Sequence, residues 1–463
     1  MLTCAIIVGM NTTKHTVKYP DGHVLLRNLN KEYPVISYGK GIELFDLDGK
    51  RYVDAAGGAL SISLGHGNYE LVNDITEQLS RVGYVNGTQF TSTTMEEFAD
   101  RLAVLAKPLG LDRIAVLNSG SEAIEAAIKY VRQLWVDRGQ PKKTKLISRT
   151  PGYHGNTLFA LSASGRPHYK KLYGPLLSDV LTVTAPYGYR SPVDDYEGMG
   201  ADYYARELEA LIQKEGADSI MAFIFEPVSG SSCGAATPPK NYFATIQEIC
   251  KRHDILMIAD EVMCGSGRTG LFFACEHYGI KPDVLVLGKS INSGYIPTSV
   301  VMVKDSDVQT IKEKSGYFMH AQTYLQSPAM AATGLAVLKY MERHRTLEKA
   351  RAPAEAFQRR LREEISPLDF VGNISGIGHM AGVEFVEDVA TKRAFARSEK
   401  VVERFVTHAQ NQGLILWPNS GQANGVDGDL VMLGPPFTAS TRELEEVVTL
   451  LKKAVQTFGF KTS

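Results

Sequence analysis

The 463-residue sequence predicts a doubly wound α/β fold with a mostly parallel sheet, followed by a smaller α+β unit. Three observations carry that expectation. From about residue 70, short apolar runs alternate with helical stretches, which implies parallel strands joined by crossover helices. Several of those runs end in polar or charged residues, on the edge where open α/β sheets bind ligands. Beyond Pro328 the alternation stops and a long helical stretch begins.

The elements follow in chain order. Ile42 to Ala55, IELFDLDGKRYVDA, alternates apolar and polar around Asp-Gly and reads as a β-hairpin. Strands are expected at Arg113–Leu117, Leu146–Ser148, Ala222–Phe225, Leu256–Ala259, Val284–Leu287 and Thr298–Val303, with helices such as Tyr242–Arg252 between them. The stretch after Pro328 is a helical bridge into the last third, where GHMAGVEFV and GLILWP read as strands. TRELEEVVTLLKKAVQTF reads as a closing amphipathic helix, with Leu444, Val447, Val448, Leu451 and Val455 on one face.

Composition narrows the function. Lys plus Arg is 50 and Asp plus Glu is 51, a net charge of -1, which argues against a general grip on nucleic acid or acidic membranes. No apolar run reaches the roughly 18 residues of a membrane span, so none is expected. Cys4, Cys233, Cys250, Cys264 and Cys275 are far apart and form no C-x-x-C pair, which fits a reducing compartment and a cytoplasmic protein. The start, MLTCAIIVGM, lacks a basic n-region and a cleavage site, so it is not read as a signal peptide; Met10 is an alternative start. No metal site is expected.

RIAVLNSGSEAIEAAIKYVRQLW begins as a strand, turns at Asn118–Ser121 and enters a helix striped by Ile124, Ile128, Val131 and Trp135. Ser119 and Glu122 have capping-box spacing. A glycine at a helix start lets N–H groups approach a ligand closely, and the helix dipole favours an anion there. An ordinary capped helix has the same signature, so alone the stretch marks only a candidate phosphate cradle. No G-K-[ST] follows, which excludes a P-loop.

Asp260 closes the apolar run ILMIA, and Lys289 follows VLVLG one strand later. Either residue alone is an ordinary strand-end charge. Together they place an acid and an amine on one sheet edge beside the cradle. That set suits pyridoxal 5'-phosphate, which carries a phosphate, an aldehyde and a basic ring nitrogen. A lysine amine forms a Schiff base with the aldehyde. A carboxylate facing the ring nitrogen keeps it protonated, and the protonated ring accepts electrons from a carbanion. The freed lysine can then move a proton.

Two shorter motifs compete. Gly265, Gly267 and Gly270 match G-x-G-x-x-G, but Asp260 to Cys264 stand between them and the strand, and no helix start follows. Gly230 to Gly234 matches G-x-S-x-G, yet Glu226-Pro227 precedes it and Pro238-Pro239 follows, so no tight strand-to-helix turn is expected.

In order, LFDLDGKRYVDAAGG, LNSGSEAIEAAIK, GYHG, FIFEPV, IADEVMCGSGRTG, DVLVLGKS and HAQTY resemble the motifs of the class III pyridoxal-phosphate-dependent aminotransferases, or omega-aminotransferases. The resemblance covers nearly the whole chain after Asn11. It implies PLP fold type I, with a large domain over 66–328, a small domain over 329–463, and an N-terminal segment, 1–65, joining the small one. It implies ping-pong transfer of an amino group from a primary amine or omega-amino acid to a keto acid or aldehyde. By position, Lys289 bonds the coenzyme, Asp260 contacts its ring nitrogen, and Val262 and Tyr153 cover the two ring faces. Ser119, Gly120 and Ser121 hold the phosphate, while Glu226 and His154 belong to the same site. Thr323 reaches the phosphate of a neighbouring subunit, so a homodimer or higher homo-oligomer with shared active sites is implied.

Three departures stand out. Ser290-Ile291-Asn292 follows the lysine where many relatives have G-L-G or G-I-G, and Leu325-Gln326-Ser327-Pro328 stands where many have G-H-P. Trp417 occupies about the place of a mobile carboxylate-binding arginine in amine:pyruvate members; Arg166 and Arg190 are candidates to replace it. With Tyr84 and Phe90, Trp417 would form an apolar pocket wall suited to a hydrophobic amine or a long-chain substrate. The same Lys289 and Asp260 would serve a racemase, epimerase, aminomutase or decarboxylase of this fold. A nicotinamide-dependent oxidoreductase is the distant alternative.

Overall fold

The structure, a computed structural model, describes residues 14–460, so the expectations placed on Met1 to Met10 lie outside the described residues. Near the N-terminus, β1 (Ile36–Lys40) pairs antiparallel with β2 (Glu43–Asp46), which pairs antiparallel with β3 (Arg51–Asp54). The β2–β3 hairpin is the expected one. Its turn holds Gly49 at φ 76°, a conformation that glycine adopts without steric cost. A two-residue strand from the far end of the chain, Leu414–Ile415, adds to β3 in parallel.

The central strands are β4 (Arg113–Leu117), β5 (Lys145–Thr150), β6 (Leu181–Thr184), β7 (Ile220–Phe225), β8 (Leu256–Glu261), β9 (Val284–Leu287) and β10 (Ser299–Val303). They form one seven-stranded sheet in the order β4-β10-β9-β8-β7-β5-β6. The pairs β5–β6, β5–β7, β7–β8 and β8–β9 are parallel, whereas β10 runs antiparallel to β9 and β4. The alternating pattern had implied parallel pairing for that strand as well. Connection length explains the difference. A parallel return needs a long crossover, usually a helix, and segment 288–298 holds only the 3-10 turn Lys289–Ile291. The edge strand β6, with sequence LTVT, is short and partly exposed and gave no apolar run to read.

Both faces of this sheet are covered. Leu256 and Ile258 pack with Ile124, Ile128 and Trp135 of α1 (Gly120–Asp137), while Met257 and Ala259 pack with Phe98, Phe223 and Phe243 on the other side. Strands buried on both faces therefore read as continuous apolar runs. Each fully buried Ile, Leu or Phe contributes about 1.5–3 kcal/mol relative to exposure.

The helical stretch after Pro328 is two helices, α2 (Pro328–His344) and α3 (Thr346–Glu364), broken where Arg345 takes φ 51°, ψ 44°. Beyond them, β11 (Val371–Ile377), β12 (Met380–Phe385), β13 (Trp417–Ser420) and β14 (Asp429–Leu433) form an antiparallel sheet in the order β11-β12-β14-β13. GLILWP, expected as one strand, is divided. Leu414–Ile415 joins the N-terminal sheet and Trp417–Ser420 the C-terminal one, with buried Leu416 at the crossing. The closing helix α4 (Thr441–Thr457) buries Leu444, Val447, Val448, Leu451 and Val455 as expected. Those side chains share a core with Ile42 and Val53, so the N-terminal strands pack against the C-terminal helix.

Among the described residues no helix is long and apolar enough to cross a membrane. Cys233, Cys250, Cys264 and Cys275 are free and buried.

Candidate active site

Asp260 and Lys289 meet because their strands are neighbours. Asp260 pairs in register with Val286 of β9, and Lys289 follows shortly after that strand ends at Leu287. Asp260 is buried, and two groups hold its carboxylate. Its Oδ2 lies 2.7 Å from His154 Nδ1, and its Oδ1 accepts the Val262 N–H at 3.0 Å. His154 is fixed in turn by its own N–H, which donates to Ser164 Oγ at 2.9 Å. His154 Nε2 is buried without a partner.

Lys289 has φ 46°, a strained backbone for a residue with a side chain, of the kind that clusters at functional sites. Desolvation pushes its amine down to about 8, and nearby Asp260 opposes that shift. Arg268 and Arg166 add to the lowering. The result is an amine that is substantially neutral in mildly alkaline solution.

The start of α1 lies beside this pair. Ser119 Oγ accepts the Glu122 N–H at 3.3 Å, and Glu122 Oε2 accepts the Ser119 N–H at 3.1 Å, completing the expected capping box. The amides of Gly120 and Ser121, in the first turn, have no intrahelical acceptor and remain free for an anion. Close packing explains the glycines. A Cβ on Gly120 would come within 2.7 Å of Val262 Cγ1, and one on Gly288 within 3.1 Å of the same atom. Val262 is therefore wedged between the helix start and the residue before Lys289. A Cβ on Gly155 would meet Ser121 Oγ at 2.6 Å, and the Asn156 N–H donates to that Oγ at 2.9 Å. The turn carrying Tyr153 and His154 thus docks on the cradle.

Glu226 is buried and ties two loops together. Its Oε1 accepts the Gly230 N–H at 2.8 Å, while Oε2 accepts the Tyr153 N–H at 3.4 Å and the Ser232 hydroxyl at 3.3 Å. Ser232, the serine of the G-x-S-x-G match, is therefore bound to a carboxylate rather than to a histidine base. The G-x-G-x-x-G match is a turn around Arg268, with no α-helix behind it. Arg268 is fully buried. It donates to the carbonyls of Gly434 at 2.9 Å and Pro435 at 2.7 Å, and to those of Leu60 and Ile62 at 3.3 Å. It also reaches Ser290 Oγ at 3.4 Å, next to Lys289. Sequence reasoning passed over this residue because its acceptors are backbone atoms of distant segments, which leave no local pattern.

Other expected residues lie apart from this cluster. Thr323 is exposed and makes no hydrogen bond among the described residues. Tyr84 packs edge-on against Tyr324, ring centroids 5.6 Å apart, and Gly87 lies against the Leu325 carbonyl. Trp417 packs instead on the cluster containing Val228, Leu430 and Met432, and no ring contact joins it to Tyr84 or Phe90 among the described residues. Arg190 is committed to Glu384, its Nε at 2.7 Å, and its Nη1 donates to the Lys392 carbonyl at 3.0 Å. No cluster of metal-ligating side chains occurs among the described residues.

A buried acid and a desolvated amine on adjacent strand ends, beside a helix start with free amides, define a coenzyme-dependent α/β transferase. The particular family follows from comparison: residues 27–455 match Aminotransferase class-III, and the chain belongs to that family. It is 36% identical over 438 residues to the uncharacterized aminotransferase YodT of Bacillus subtilis (strain 168), covering 94% of this chain and 97% of that protein. It is 31% identical to the putrescine–pyruvate aminotransferase of Pseudomonas aeruginosa, covering 91% of this chain and 90% of that protein. The solved (S)-enantioselective omega-transaminase from Thermomicrobium roseum superposes with a TM-score of 0.86 at 33% identity, covering 94% and 95% of the two chains. The fold is PLP fold type I, and the protein is a pyridoxal-phosphate-dependent aminotransferase with the ping-pong mechanism general to these enzymes.

Proposed function

We propose that Lys289 bonds the coenzyme and carries the substrate proton, that Asp260 contacts the ring nitrogen, and that Gly120 and Ser121, with Ser119, bind the phosphate. Tyr153 and Val262 would enclose the ring, with Glu226 holding the Tyr153 loop. When bound, pyridoxal phosphate supplies an electron sink for the bond broken at the substrate carbon. The chain's own residues do the rest. His154 fixes Asp260 so that its carboxylate stays oriented. Lys289 Nζ, whose pKa burial lowers to about 8, would take up and hold the proton released at the substrate carbon.

One observation carries this reading: a buried lysine follows the strand next to an acid pinned by His154, beside the capped start of a helix. The donor is a primary amine or omega-amino acid and the acceptor a keto acid or aldehyde. We further propose a homodimer in the cytoplasm. Exposed Thr323, Tyr84, Phe90 and Tyr324 would then be covered by the second subunit, with Thr323 completing its site. The test is rapid mixing of yellow holoenzyme with 1-phenylethylamine. The expected outcome is loss of the coenzyme colour and its return on adding pyruvate, both abolished in Lys289→Ala. Colour that persists with every amine of a donor panel would refute the assignment.

A further inference from the structure

Three arginines are buried among the described residues: Arg149, Arg166 and Arg268. Two of them are satisfied by backbone. Arg149 donates to the Glu226 carbonyl, and Arg268 spreads its donors over several carbonyls. Arg166 is different. Its one hydrogen bond to protein runs from Nη2 to Ser231 Oγ, at 2.7 Å. No carboxylate pairs with it among the described residues. Among the described residues no hydrogen bond from its Nε or Nη1 occurs.

The surroundings of Arg166 are aromatic and cationic. Its guanidinium lies 4.9 Å from the Tyr153 ring centroid and 5.4 Å from that of Tyr169. Tyr169 in turn accepts a hydrogen bond from Arg27 Nη2 at 3.3 Å. Arg166 is also close enough to Lys289 for its charge to lower the lysine pKa. Ser231 lies in the loop that Glu226 holds. A mostly buried planar fork with unused donors, within electrostatic reach of the lysine, suits bidentate binding of a carboxylate.

We infer that Arg166, with the Ser231 hydroxyl beside it, binds the carboxylate of the acceptor keto acid. The inference rests on the reading above that Lys289 and Tyr153 frame the reacting centre. Its consequence is a split in acceptor preference. A 2-oxo acid needs the fork, whereas an aldehyde has no group to place there.

The test uses holoenzyme and compares kcat/KM for pyruvate with that for butanal, together with competitive inhibition by propionate, which cannot react. Arg166→Gln is expected to lower the pyruvate-to-butanal ratio about a hundredfold and to abolish propionate inhibition, because a buried charge-assisted contact is lost. Arg166→Lys should restore part of the ratio, since it keeps the charge without the planar fork. Ser231→Ala should lower the ratio more mildly, and these two variants decide the matter if the glutamine variant does not fold. A ratio that does not move, or equal losses on both acceptors with propionate inhibition intact, overturns the assignment. Wild-type enzyme that keeps its colour with amines would instead overturn the proposed function itself.

Discussion

At Lys289, burial and a carboxylate pull on one amine in opposite directions. Desolvation wins, and the amine settles at about 8 instead of the ordinary 10.5. Below that value the group is protonated and unreactive; above it the lone pair is available. In coenzyme-free protein, labelling of Lys289 by trinitrobenzenesulfonate should therefore rise with a midpoint near pH 8, followed by peptide mapping. Asp260→Asn removes the largest influence that favours the charged form, ahead of Glu226, so the midpoint should move lower still. A midpoint near that of surface lysines, or an upward move in the variant, contradicts the argument. Asp260 and Lys289 were legible because each closes an apolar run, and a strand end is recognisable without knowing its neighbours. Their partners were harder to read. His154 lies 106 residues from Asp260 along the chain, and nothing local signals that its ring turns toward the acid.

At the scale of elements, the glycine-rich turn after β8 resembles a nucleotide loop in sequence but works as a fastener. It buries Arg268, whose donors bind backbone carbonyls near residues 60–62 and 434–435 and also the Ser290 hydroxyl. Each hydrogen bond from a charged donor is worth about 1.5–3 kcal/mol, and losing the donor strands buried acceptors. Arg268→Ala is therefore expected to cost about 3 kcal/mol or more, read as a lower midpoint in urea denaturation. Loss of under about 0.5 kcal/mol, the range of ordinary surface substitutions, would contradict that role. The same scale shows where pattern reading stopped. Periodicity located β8, β9 and β10 but not the direction of β10, which depends on how short the connection through 288–298 is. It also merged Leu414–Ile415 with Trp417–Ser420, because an apolar run does not state which sheet it will join.

For the whole molecule, Tyr84, Phe90, Tyr317, Met319 and Tyr324 are large apolar side chains left exposed, and Tyr84 packs against Tyr324. In the proposed dimer they belong to the interface, and each site borrows Thr323 from the other subunit. Mixing inactive subunits tests this. Lys289→Ala lacks the amine, and Thr323→Asp places a like charge against the phosphate. After joint refolding in equal amounts, mixed dimers should contain one doubly damaged site and one intact site, recovering about a quarter of wild-type activity. No recovery would place Thr323 in the site of its own chain.

Residue order alone determined the layered α/β class, the strand-end acid and amine, the capped helix at Ser119 and the amphipathic closing helix. These depend on periods of two and 3.6 residues and on local capping, which act over a few neighbours. Tertiary structure alone decided that His154 pins Asp260, that Arg268 fastens segments from both ends of the chain, that β10 runs backward, and that Arg166 has no acidic partner among the described residues. Each of these depends on which distant segments are packed together. That outcome is set by the free energy of burying the whole core and satisfying its polar groups, and no local stretch encodes it.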